Sequence, residues 1–149
     1  MHPFDLRAAS LEKHAQHVVL IHFPIALFFA GAAFDMAAQW SKQQVLAAAA
    51  RYNLTVAAAF SLPVLVSGLL AWRWQFEGQR LKGILLEHLI LGFVSSALIW
   101  LVWWLHFRAG RNATHTLPVY RLSLELIAML AVGLTAHLGG FLSGVNGPG

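Results

Sequence analysis

Four histidines carry the chemistry open to this sequence: His17, His22, His88 and His137, each set in an apolar stretch. A polar side chain is costly in such surroundings, and neutral imidazole is the commonest biological metal ligand. The chain has no cysteine, which excludes thiolate metal sites, iron–sulfur clusters, disulfides and covalent c-type haem attachment. Imidazoles alone leave two kinds of guest: a bare Cu, Zn or Fe ion, or a non-covalent haem held by two axial histidines. There is no phosphate-binding glycine loop, nucleophile elbow, His-Glu-x-x-His run or Ser-His-Asp grouping to support other catalysis.

The elements that must position these residues follow from composition. Of 149 residues, 58% are hydrophobic and 11% charged, roughly half the usual charged fraction. A single domain of this length folded in water could not bury that much apolar surface. The net charge is +4, but the Lys and Arg residues are scattered singly. They read as membrane-edge anchors, with no nucleic-acid partner expected. They bound four apolar stretches: Lys13 to Lys42, Arg51 to Arg73, Lys82 to Arg108, and Arg121 to the C-terminus. Each reaches the roughly 20 residues that span a hydrocarbon core as a helix. The expected fold is therefore an all-α, integral-membrane antiparallel four-helix bundle, one domain over 1–149. Its helices are expected near 15–40, 52–72, 84–106 and 119–142. Short links make neighbours antiparallel. Trp40, Trp72, Trp74, Trp103 and Trp104 lie near the stretch ends, where their rings suit the interface. Pro24 and Pro63 each predict a kink or a helix start. The polar residues 1–13 do not resemble a cleavable signal, so the first helix is expected to insert uncleaved.

This topology brings His17 and His22 to the same end of the bundle as His88, early in helix 3, and His137, late in helix 4. His88 and His137 are each six residues inside the nearest edge residue, about 9 Å at helical rise. Gly92 follows His88 by four residues and Gly133 precedes His137 by four, while Ser67-Gly68 falls at a similar depth on helix 2. Glycines beside imidazoles leave room for a planar macrocycle, although small residues are also how membrane helices pack. Arg73, Arg80 and Lys82 could meet haem propionates, as could the amides of Gly139-Gly140 and the Gly-rich tail. Phe23, Phe28, Phe93, Phe141 and Trp72 could wall the ring, and Glu87 could orient an imidazole or pair with a nearby cation. At the opposite end, Asp35 and Glu125 lie at the depth of Arg51 and Arg121, and a structural ion pair is the first reading over proton handling. His2, His14, His106 and His115 read as solvated.

The run His17-Val-Val-Leu-Ile-His22-Phe23-Pro24-Ile25-Ala26 resembles the opening of a bacterial four-helix membrane family of unknown function, usually His-Pro-x-x-x-His-Phe-Pro-Ile-Ala. Gly68-Leu-Leu-Ala-Trp72, His88 and Ala136-His137-Leu138-Gly139-Gly140 are similar to its later motifs, so the resemblance extends from His17 to Gly140. Val18 replaces the usual Pro and Ala136 the common Gly. Some members look fused to c-type cytochrome or Rieske-type modules, which implies electron transfer on the periplasmic side.

These readings together give the expectation of a membrane b-type cytochrome. One haem b, or two, would be held by histidines from different helices near one face, passing single electrons rather than acting on a substrate of its own. The cofactor-site candidates are His17, His22, His88, His137, Gly68, Gly92, Gly133 and Arg73. Expected partners are membrane lipid and a soluble c-type cytochrome, Rieske-type protein or quinone, with a homodimer as the expected assembly. The expected location is the bacterial inner membrane, multi-pass. Lys and Arg divide five against five between the two sides, so the periplasmic placement of the histidine face comes from the resemblance. The rivals are a non-haem Cu, Zn or Fe protein using the same histidines, and a structural subunit whose histidines only tie helices together.

Overall fold

The computed structural model describes residues 15–74, 77–78, 80–111 and 117–143. These form four helices: α1 (Ala15–Ser41), α2 (Gln44–Trp74), α3 (Gly83–Arg111) and α4 (Arg121–Leu142). All four are long and apolar enough to cross a membrane, and no strand occurs among the described residues. His2, His14, His115 and the tail amides beyond Ser143 lie outside the described residues.

Helix α2 begins eight residues before the expected position 52, at Gln44. Residues 46–50 are Leu-Ala-Ala-Ala-Ala, strong helix formers that carry the helix through Arg51. A charged residue marks where lipid ends, not where a helix does. Pro24 and Pro63 both lie inside unbroken helices. The turn between α1 and α2 is made by Lys42 in the left-handed conformation at φ 58, and its N–H donates to the Ala38 carbonyl at 2.8 Å. That is the usual way a helix terminates its last carbonyls.

Helix α1 packs most extensively on α2, α3 on α4, and α2 joins the two pairs. Phe28, Leu54, Ala57, Ala58, Ile99, Val102, Ala128 and Val132 form the buried centre. Gly31 lets α1 and α2 approach closely, since a Cβ there would sit 2.9 Å from Leu54 Cγ. Outward, Leu62, Val66, Ile90, Leu126 and Leu130 are exposed, with Trp40 and Trp74 exposed at helix ends. This is an apolar exterior that hydrocarbon covers, with amphipathic rings at its margins.

Candidate functional site

The inward face of each helix follows the 3.6-residue period. On α1 it runs His17, Ile21, Pro24, Phe28, Ala32, Asp35; on α3, His88, Gly92, Ser95, Ile99, Val102, His106; on α4, Arg121, Glu125, Ala128, Val132, Thr135, Gly139. Each face begins and ends in polar or glycine positions and is apolar between. The bundle therefore holds two polar ends separated by the core.

At the first end a cavity of about 470 Å³ opens between the helices, within the usual size of small-molecule sites at roughly 300–1,000 Å³. Its lining is mainly apolar, with His17, His88, Gly68, Gly92 and Gly139 among it. His17 Nδ1 lies 2.8 Å from Ser67 Oγ. The Ser67 hydroxyl already donates to the Val64 carbonyl at 2.9 Å, so it accepts from His17 Nδ1–H. His88 Nδ1 lies 3.0 Å from the Thr135 carbonyl, which can only accept. Both neutral imidazoles thus carry their hydrogen on Nδ1 and leave a bare Nε2, the state in which imidazole ligates a metal. Both rings line this one cavity.

Each ring rests against a glycine of the neighbouring helix. A Cβ at Gly68 would stand 3.1 Å from His17 Cε1, and one at Gly139 would stand 3.1 Å from His88 Cε1. Ser95, also on the cavity wall, bonds Thr135 Oγ1 at 2.8 Å. Thr135 donates to the Ala131 carbonyl at 2.8 Å, so Ser95 is the donor and the α3–α4 contact beside His88 is tied down.

The remaining expected residues are placed differently. His22 touches the cavity but is exposed, and its Nδ1 turns back to the Val18 carbonyl at 2.6 Å. Gly92 lines the cavity with no atom within 4 Å of a Cβ position. Arg73 is exposed beside Gly78 in the α2–α3 connection, where a Cβ on Gly78 would meet its Nη1 at 3.4 Å. His137 and Gly133 are exposed and outside the cavity lining, and the His137 ring lies edge-on to Phe141 at 5.0 Å. Helical phase is the reason. His137 is five residues past the buried Val132, a rotation of about 140° away from the inward face. The closing motif contributes Ala136, Gly139 and Gly140 to the cavity.

The second polar end corrects one reading. His106, expected to be solvated, is 3% exposed and its Nε2 lies 3.0 Å from Glu125 Oε1. Proximity to Arg108 hid it, yet it continues the face of Ile99 and Val102, a spacing visible in the sequence. The expected ion pair at this end forms between Arg121 and Asp35, with Nε to Oδ2 at 2.8 Å. Arg121 also donates to Gln39 Oε1 at 2.8 Å. Arg51 takes no part in that pair and lies against Gly110, where a Cβ would be 3.2 Å from its Nη1.

A family model matches residues 13–147, that of DUF2231, described as a predicted membrane protein. The chain belongs to this family. No curated protein and no solved structure matches it. The matched segment of this DUF2231 member contains all four helices, so the cavity and the buried polar cluster both fall inside it. With its four candidate spans, it is a multi-pass membrane protein. The description agrees with the kind of membrane family that the opening and closing motifs resemble, and it speaks of no cofactor.

Proposed function

We propose that this chain is a membrane b-type cytochrome in which His17 and His88 hold one non-covalent haem b in the cavity at one end of the bundle. The observation that carries the reading is the pair of imidazoles on separate helices, each with Nδ1–H bonded away and Nε2 bare, in a mainly apolar cavity of about 470 Å³. Two ligands suffice for haem, whereas a structural ion usually takes four and a catalytic one three. The cavity is also far larger than a bare ion needs. When bound, haem would supply one-electron redox chemistry at its iron.

The protein's own contribution is orientation. Ser67 and the Thr135 carbonyl fix the tautomer and tilt of the two imidazoles, as partners of metal-bound histidines do. Gly68 and Gly139 give each ring a close seat. Leu65, Leu85, Leu89 and Ile99 on the walls exclude water, and low polarity around such a centre tunes its potential. Arg73 and Lys82, exposed in or beside the loop at this end, are the cations available to propionates. The electron partner would be a soluble c-type cytochrome, a Rieske-type protein or a quinone, with this end facing the periplasm of the inner membrane. The motif resemblance supports that assignment.

The test is the reduced-minus-oxidised absorption spectrum of protein expressed with haem supplementation. Wild type, His22→Ala and His137→Ala are expected to show b-type bands, while His17→Ala and His88→Ala lose them. A colourless wild type would end the proposal, as would full haem retention in both His17→Ala and His88→Ala.

A further inference from the structure

We propose that Asp35, His106 and Glu125 form a second site, at the opposite end of the bundle, which binds one divalent first-row transition-metal ion. Each residue offers a ligand atom, and these atoms lie within 4.8 Å of one another. They come from α1, α3 and α4, and all three side chains are buried. Glu125 Oε2 is buried with no hydrogen-bond partner among the described residues. An orphaned carboxylate oxygen in a core is costly and calls for an explanation. The 3.0 Å between His106 Nε2 and Glu125 Oε1 is also the edge of a coordination sphere. Two ligands about 2.1 Å from a shared ion, set roughly 90–110° apart, are separated by about 3.0–3.4 Å.

Charge points the same way. The cluster holds two carboxylates and one guanidinium, with Arg121 on Asp35 Oδ2, so one positive charge is wanting when His106 is neutral. A proton on His106 would balance it but leave Oε2 without a donor among the described residues. A divalent ion would coordinate the orphaned oxygen and carry the cluster's formal charge from −1 to +1, so the deficit draws a cation without being matched by it. Asp35 can serve both Arg121 and the ion, since a carboxylate has about four acceptor positions. On binding, the ion replaces the hydrogen on His106 Nε2, which moves to Nδ1 to give the ligating neutral tautomer. One imidazole and two carboxylates suit ions from Mn²⁺ to Zn²⁺.

The experiment uses the full chain in detergent, stripped with chelator, loaded with Zn²⁺ and desalted, with zinc measured by elemental analysis. One zinc is expected in wild type and in His17→Ala, because the site is independent of the cavity. Glu125→Gln is expected to bind at least about a hundredfold more weakly, beyond the loss typical of a partner one shell further out. Co²⁺ bound to His17→Ala protein should give ligand-field bands that Zn²⁺ displaces, a readout independent of how well Glu125→Gln folds. Zinc equal in wild type and Glu125→Gln, or no zinc and no cobalt bands, overturns the proposal and leaves the cluster an ion-pair network only.

Discussion

Alanine at Gly139 should separate the stability of the bundle from the seating of His88. A new Cβ would lie 3.1 Å from His88 Cε1, against the 3.4 Å at which ordinary contact begins, so the ring must move by at least about 0.3 Å. That shift uses up more than half of the roughly 0.5 Å that productive geometry at such sites tolerates, and it acts on a side chain held from the other side by the Thr135 carbonyl at 3.0 Å. Haem affinity is therefore expected to fall about tenfold, the lower end of the range for disturbing a ligand's support. Helix stability should not fall with it, since Gly to Ala inside a helix gains roughly 0.5–1 kcal/mol. Gly133→Ala is the matched control on the same helix, with nothing within 4 Å of its Cβ position. Haem titration and thermal unfolding of the purified variants, with Gly68→Ala alongside, measure both quantities. Gly139→Ala protein that binds haem as tightly as wild type, or a larger loss in Gly133→Ala than in Gly139→Ala, would refute the reasoning.

Ser67→Ala removes the acceptor for His17 Nδ1–H and should weaken haem binding about 10- to 100-fold with secondary structure unchanged, as followed by haem titration and circular dichroism. Arg121→Met leaves Asp35 buried without its cation and should cost about 3–5 kcal/mol, whereas the double variant Asp35→Leu/Arg121→Met should recover most of that loss; denaturant unfolding in detergent distinguishes them. Gly31→Ala would place a methyl 2.9 Å from the fully buried Leu54, and overpacking of this kind should destabilise by about 1–3 kcal/mol, read in the same unfolding assay.

The histidines show how far residue order reaches. Depth was legible: His17 and His88 do share one end, and Asp35, Arg121 and Glu125 share the other. Orientation around the helix axis was legible only in part. His137 has the right depth and the wrong phase, and His106, two residues from Arg108, has an edge position and the inward phase. The same 3.6-residue spacing that carries Ile99 and Val102 inward carries His106 with them. Gly68 was visible at the depth of the imidazoles and Gly139 as a backbone amide of the closing motif, but that each seats the histidine of another helix depends on which helices are neighbours.

The sequence alone determined four membrane-length helices, their alternating direction and the level of the four apolar-stretch histidines and of Asp35, Arg121 and Glu125, because those follow from adding residues along one axis. Tertiary structure decided which side chains face inward. In water a helix advertises its buried face by polarity, but in lipid the outer face is as apolar as the core. Hydrophobicity then cannot tell His88 from His137, and only the packing of one helix on another does.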